Sequence, residues 1–281
     1  MTSTVAIINW NSGRFLRPCI ESLLATSTSA ELLVVDNASQ DTSLESIERF
    51  KNRVHIVQNS VNRGFAAAVN QAFQATSSSY VLILNPDLRV TPGAVQQLEE
   101  FMENHPRVAA VGGYVGDKYM PKRLPSATAL VRENFGFPAR GAVAEGRSQN
   151  PVSVEQPAAA ALMVRRDAYE EVGGFDEQFF PAWYEDVDFC RRLKDKGWEI
   201  YYARNAEFVH EGGYSADTMG SQQFLRSYYA NQLRYARKHF GLWGAFAVRA
   251  SIVIGMFGRM IGRPKQAVAY GKLFLRSLKG M

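Results

Sequence analysis

Short apolar runs alternate with amphipathic segments from the N-terminus onward, and that alternation leaves the chain very few folds. Residues 5–8 (Val-Ala-Ile-Ile), 32–35 (Leu-Leu-Val-Val), 54–57 (Val-His-Ile-Val) and 80–84 (Tyr-Val-Leu-Ile-Leu) read as buried strands. Between them, 15–24, 41–50 and 64–75 carry helical spacing, with Asp41 or Thr42 as N-cap of the second. Pro92 opens a further helix to about Asn104, and a strand follows at 108–111. Strand–helix alternation with short connections is the signature of βαβ units and a parallel sheet. In such sheets ligands bind beyond the carboxyl ends of strands. Asn9, Asn11, Asp36 and Asp87 all fall just past strand ends.

Regularity weakens afterwards. Residues 112–154 are rich in Gly, Pro and basic residues and read as long loops, a candidate lid or acceptor-site flap. Strands are expected at 157–164 and 198–203, the latter before a His210-Glu-Gly-Gly turn. A Tyr- and Arg-rich helix is expected at 222–240. Residues 245–261 are apolar but interrupted by Arg249 and Arg259, short of the ~18 uninterrupted apolar residues of a spanning helix. At about 100° per residue, Arg249, Arg259 and Arg263 share an arc of roughly 80°, opposite Ile254, Phe257 and Ile261. Such a helix either lies in a membrane interface or packs its apolar side on the rest of the protein.

Charge is distributed unevenly. Eleven Lys and Arg follow Asp217 with no Asp or Glu, while the first 217 residues hold 21 basic and 27 acidic residues, a net of −6. A basic tail on an acidic body points to an anionic surface. The N-terminus lacks a basic segment followed by a long apolar one, so no signal peptide is expected. Cys19 and Cys190 match no metal-ligand spacing and read as small core residues. A cytoplasmic setting fits both observations.

Four segments carry chemistry. Asp36 ends a strand and precedes Asn37 and Ser39; its carboxylate suits the imide N–H of uracil or thymine, or an Asx turn. The stretch Asn62-Arg63-Gly64-Phe65-Ala-Ala-Ala-Val-Asn70 opens a helix with small residues, where phosphate could approach the N-terminus, or where the helix simply packs closely. Leu84-Asn85-Pro86-Asp87 offers a hard oxygen ligand for Mg²⁺ or Mn²⁺, or a Pro-containing turn; His210 is a candidate second ligand or a structural histidine. Pro181-Ala-Trp183-Tyr184-Glu185-Asp186-Val-Asp188 places three acids at a helix start beside two aromatic residues. They either complement the helix dipole or include a catalytic base.

Together with Gly173-Gly174-Phe175-Asp176-Glu177 and Val209-His210-Glu211-Gly212-Gly213, these segments stand in an order that resembles the inverting family 2 glycosyltransferases, from Val5 to about Gly213. The resemblance implies a GT-A fold: a mixed, mostly parallel sheet flanked by helices, here at residues 1–217, with a basic amphipathic helical extension at 218–281. It implies that Asp36 holds the base, Asp87 and His210 hold the metal, Asp186 is the general base with Glu185 beside it, and Trp183 and Tyr184 form the acceptor floor. Asn9, Asn11, Asn37, Asn62, Gly64, Asn70 and Asn85 complete the implied nucleotide-sugar contacts. One departure matters: the family's metal motif often has two acids flanking one residue, and the first is here Asn85. Asn-Pro-Asp is most similar to the rhamnosyltransferase branch, which implies dTDP-L-rhamnose as donor and bacterial cell-wall or surface polysaccharide as product. The acceptor would be a saccharide on a polyprenyl diphosphate, met by a peripheral enzyme at the cytoplasmic membrane face. A UDP-sugar donor is the nearest alternative.

Readings of other classes fare worse. A nucleotidyltransferase needs a Gly-rich, cationic phosphate loop after the first strand, and Asn9-Trp-Asn-Ser-Gly-Arg14 has one Gly and one Arg. A non-catalytic carbohydrate-binding or scaffold protein would be favoured by loss of Asp87 or Asp186, and both are present. A nucleic-acid binder would track phosphates with continuous charge, whereas the tail's charges are separated by apolar stretches.

Overall fold

The computed structural model describes residues 3–26, 29–137, 150–211, 221–262 and 271. The chain forms two compact units, 1–124 with 142–218, and 125–141 with 219–281.

The first unit is built on one mixed sheet. Its strands are β1 (Ser3–Asn9), β2 (Glu31–Asp36), β3 (His55–Gln58), β4 (Tyr80–Leu84), β5 (Leu88–Val90), β6 (Val108–Tyr114), β7 (Val152–Ser153), β8 (Ala161–Arg165) and β9 (Glu199–His210). The order is β3-β2-β1-β4-β8-β6-β9-β5, with β7 beside β9. The half β3-β2-β1-β4 is parallel, and β8 reverses direction between β4 and β6. Every residue of β1 and β4 is buried, because helices cover both faces. Alternation divides β1 between two cores. Val5 and Ile7 pack with α1 (Leu16–Ala25) and α3 (Ala94–Asn104) through Ile20, Leu23, Leu98 and Met102. Ala6 and Ile8 face α2 (Phe65–Gln74) and α6 (Glu185–Asp195) through Val69, Phe73, Phe189 and Leu193. Cys19 and Cys190 are both buried.

Several elements differ from the sequence reading. Residues 41–50 form only a 3₁₀ segment, Glu45–Phe50. There Asp41 Oδ1 accepts the Ser43 N–H at 3.0 Å and the Ser43 hydroxyl at 2.6 Å, a local arrangement that competes with a helical start. The 112–154 region is not all loop: it contains α4 (Ala127–Asn134), capped by Ser126 Oγ on the Ala129 N–H, and β7; 138–149 lie outside the described residues. Short α5 (Arg166–Glu171) and β5 were not anticipated. β9 continues past residue 203, so His210 is the last residue of a strand rather than part of a turn. Gly212 and Gly213 lie outside the described residues.

The second unit contains α4, α7 (Ser221–His239) and α8 (Gly241–Gly262). Asn134 Nδ2 donates to Ser251 Oγ at 3.0 Å in its interior, and Arg259 Nη2 donates to the Glu133 carbonyl at 3.4 Å. Arg259 thus turns toward α4, while Leu242, Trp243, Phe246, Ile254, Phe257 and Ile261 are exposed along α8. By length and composition alone, α8 could cross a membrane, although 33% of its apolar window is buried in the protein. Arg263 and the boundary at 217/218 lie outside the described residues.

A Cβ on Gly255 would sit 2.2 Å from the Asn134 carbonyl oxygen, a backbone atom that cannot swing aside. Gly255→Ala should therefore destabilise by about 1–3 kcal/mol despite alanine's ~1 kcal/mol better helix propensity. Urea unfolding followed by circular dichroism checks it; an unchanged or higher midpoint contradicts the close α4–α8 approach.

Candidate active site

The carboxyl ends of β1 and β2 lie side by side, with Asn9 and Asp36 as register partners, both fully buried. Asp36 Oδ1 accepts from Asn9 Nδ2 at 2.7 Å and from the Ser39 hydroxyl at 2.6 Å, and Oδ2 accepts the Ser39 N–H at 3.1 Å. The Asn9 amide also reaches Ser43 Oγ at 3.1 Å and accepts from the Ser12 hydroxyl. Asn9 therefore orients Asp36 rather than standing open at the surface. The Asn11 N–H donates to Ser39 Oγ at 2.8 Å, and Asn11 Oδ1 accepts the Gln40 N–H at 2.7 Å. Asn11 and Ala38 both have positive φ, at 49° and 62°. Such backbone concentrates where a site must be shaped. A carboxylate fixed this way keeps accepting capacity for one more N–H.

Asn37 joins this loop to the start of α2. Its Nδ2 donates to the Gly64 carbonyl at 3.0 Å, and its Oδ1 accepts the Arg63 N–H at 2.9 Å. Asn62 Oδ1 accepts the Gly64 N–H at 2.8 Å. Gly64 has φ 87° and ψ 164°, a conformation essentially reserved for glycine. There a Cβ would lie 2.9 Å from Phe180 Cδ2 and 3.1 Å from the Pro181 oxygen. The first N–H of α2, on Phe65, donates to that same Pro181 oxygen at 2.8 Å. Asn70, on the same helix, donates to the Phe175 carbonyl and to Glu177, each at 2.9 Å, and accepts the Phe175 N–H at 2.9 Å. Its amide is thus engaged with the 175–177 loop.

Asp87 lies between β4 and β5, and His210 ends β9; pairing of Leu88 with His210 brings them together. His210 Nε2 is 3.5 Å from Asp87 Oδ2, and both side chains are nearly buried. The Tyr119 ring lies 4.7 Å from the imidazole. Asn85 is partly buried, and its N–H extends the β4–β8 ladder to Ala160 at 2.9 Å. Among the described residues no cluster of three or more His, Cys, Asp or Glu could hold a metal. The pair itself fits a divalent cation: one carboxylate and one imidazole leave most coordination positions to a ligand's oxygens, a donor set closer to Mn²⁺ than to Mg²⁺.

The acids at 185–188 separate by environment. The loop before α6 contains a cis Phe180–Pro181 bond and two successive left-handed residues, Trp183 (φ 74°) and Tyr184 (φ 72°). Asp188 is buried and paired with Arg192 Nε at 2.7 Å, a structural bond within α6. Glu185 is buried, and among the described residues no group hydrogen-bonds its Oε2. Burial, then the charge of Asp186, pushes the Glu185 carboxyl well above the usual carboxylate range. Asp186 is partly exposed. Burial raises it too, opposed by the Val187 N–H on Oδ1 at 2.8 Å, the Gln156 amide on Oδ2 at 3.4 Å and the positive charge of Lys122. Of the pair, Asp186 is the one suited to ionise and take a proton. Gln156, Lys122 and Tyr119 escaped the sequence reading, because none stands in a motif that announces it.

A family model described as glycosyl transferase family 2 matches residues 4–173, more than half of the chain. The chain belongs to glycosyl transferase family 2. A second model, described as the N-terminal domain of galactosyltransferase, matches residues 147–211. This family 2 glycosyltransferase is 26% identical to the N-acetylglucosaminyl-diphospho-decaprenol L-rhamnosyltransferase of Mycobacterium tuberculosis, over 95% of this chain and 98% of that protein. Among solved structures, the mannosyltransferase PcManGT from Pyrobaculum calidifontis, in complex with GDP-Man and Mn²⁺, superposes with a TM-score of 0.58 at 17% identity, over 98% of this chain and 84% of that one. GalNAc-T7 with UDP, GalNAc and Mn²⁺ gives 0.59 at 14%, over 81% of this chain and 47% of that one. The fold is therefore GT-A, and the enzyme is a glycosyltransferase.

Gly64→Ala tests the junction between α2 and the 180–181 loop. It should lower stability by about 1–3 kcal/mol, from the forbidden backbone and the contact with Phe180. Urea denaturation measures it, and a variant as stable as the parent would mean that the two segments do not meet closely.

Proposed function

We propose that this glycosyltransferase moves L-rhamnose from dTDP-L-rhamnose to a hydroxyl of a polyprenyl-diphosphate-linked saccharide, with inversion, in bacterial surface or cell-wall polysaccharide synthesis. The observation that carries donor and acceptor is the end-to-end similarity to the mycobacterial rhamnosyltransferase, 95% of one chain against 98% of the other. In this reading Asp36 accepts the imide N–H of thymine, with Asn9 and Ser39 holding it in place. Asn11, Asn37, Asn62, Gly64 and Asn85 border the donor, and Asn70 acts through the 175–177 loop. Asp87 and His210 would hold Mn²⁺ or Mg²⁺, which when bound neutralises charge on the diphosphate. Trp183 and Tyr184 form the acceptor floor. Asp186 takes the proton of the acceptor hydroxyl as its oxygen bonds to the anomeric carbon. The bond from that carbon to the diphosphate oxygen breaks, and its electron pair leaves with the nucleoside diphosphate. Burial beside Asp186 disfavours the charged form of Glu185, so Asp186 carries the role of base in this reading.

With a lipid-linked acceptor, the enzyme works as a peripheral protein at the cytoplasmic membrane face. The exposed apolar residues of α8 support that placement, and so does the lack of any acid after Asp217.

Release of nucleoside diphosphate from a panel of nucleotide sugars tests the donor. dTDP-L-rhamnose should be turned over fastest, and a preferred UDP-sugar would overturn that part, since Asp36 accepts uracil and thymine alike. Asp186→Asn should lower transfer by roughly 10²–10⁴ while donor affinity stays within a few-fold. Near-parental transfer by folded Asp186→Asn removes Asp186 from the role of base. Calorimetry of donor binding should show loss of affinity in EDTA and in Asp87→Asn; equal affinity and full turnover in EDTA would rule out the metal. Co-sedimentation with anionic vesicles should fall in a Trp243→Ser/Phe246→Ser double variant and only partly in high salt. Full-length protein that ignores such vesicles would make α8 an oligomerisation face instead.

A further inference from the structure

The residues before β8 are fixed one after another. β7 pairs with β9 at Tyr201 and Tyr202, and the Val154 N–H donates to the Ile200 carbonyl at 2.9 Å. The Glu155 carboxylate accepts the Leu124 N–H at 2.7 Å. The Gln156 carbonyl accepts the Lys122 N–H at 2.9 Å, an antiparallel bridge between the two residues. Pro157 rests against Gly112, where a Cβ would come within 2.5 Å of the proline ring. Backbone held on both sides delivers one side chain to the base: the Gln156 amide, on Asp186 Oδ2 at 3.4 Å. The bridge sets Lys122 next to it.

We infer that Gln156 is a positioning residue for Asp186, with Lys122 as its electrostatic partner. This rests on Asp186 being the base. The carboxylate is held at both oxygens, by its own helix through the Val187 N–H and by the 152–157 segment through Gln156. Charged and titratable neighbours can be named from each side. On α6 they are Glu185, the Cys190 thiol, which burial and Asp186 both push up, and Asp188 with its partner Arg192. From the 117–124 segment Lys122 favours the ionised form. A base flanked by a second carboxyl and partly withdrawn from water is harder to ionise. A donor on one oxygen and a nearby ammonium oppose that. The amide does so without adding a charge that could pair with Asp186 and block it.

The test is the pH dependence of kcat/KM, which reports the free enzyme's base. It uses full-length parent, Gln156→Met, Lys122→Met and the double variant, with the nucleotide sugar turned over in the panel. Removing a group that favours the carboxylate raises its pKa, so the acid limb should move to higher pH. The expected shift is about 0.5–1 unit for each single variant and more for the double. The loss should therefore be greatest at low pH and shrink as pH rises. Lys122 is exposed, so Lys122→Met keeps the test open if Gln156→Met does not fold. An unshifted limb, or a loss uniform across pH, overturns the inference. Asp186→Asn, run alongside, separates the two levels: if it retains transfer, the base assignment itself has failed.

Discussion

The hydrogen bond from the Phe65 N–H to the Pro181 oxygen is the constraint on which the rest of the site depends. A helix begins with N–H groups that its own turns cannot satisfy. Here the first of them is satisfied by a carbonyl from far along the chain, in the loop that leads to α6. Gly64 makes the approach possible by having no side chain where Phe180 lies. Asn70 repeats the connection further along α2 with its bonds to Phe175 and Glu177. A buried backbone group left unpaired costs about 1–3 kcal/mol, far more than the exposed Arg63–Glu177 pair contributes at 3.8 Å. Polar bonds, not charge pairs, thus tie α2 to the 175–181 segment that precedes α6.

Electrostatics then assigns different tasks to similar groups. Asp36 is surrounded by donors, Asp188 is tied to Arg192, Asp87 faces an imidazole, and Glu185 is buried beside another carboxyl. Asp186 alone among the acids at the start of α6 combines partial exposure with donors on both oxygens. Burial and hydrogen bonding thus give each of these five carboxyl groups a different electrostatic setting.

Legibility in the sequence followed burial. β1, β2 and β4 lie inside the sheet and read as unbroken aliphatic runs, so their ends, and with them Asn9, Asp36 and Asp87, were placed correctly. Both cysteines proved to be core residues. What escaped was set by distant partners or by local competition. α4 buries only Leu130 and Asn134 and takes its place from α8, so no strong periodicity marks it. β5 is three residues long with an exposed Arg89 at its centre, and exists because β9 runs on to His210. Residues 41–50 carry helical spacing, but Asp41 and Ser43 bind one another first. Gln156 is an ordinary glutamine between two segments, and only the bridge to Lys122 gives it direction.

A single displacement at the anomeric carbon is the central claim, and the product's stereochemistry tests it most directly. The measurement is the one-bond carbon–proton coupling at the transferred sugar's anomeric centre, by NMR, in donor and in product. A single displacement with Asp186 as base gives a product of inverted configuration. Retention would contradict the account, because it demands a second displacement or a front-face path in which Asp186 is not the base.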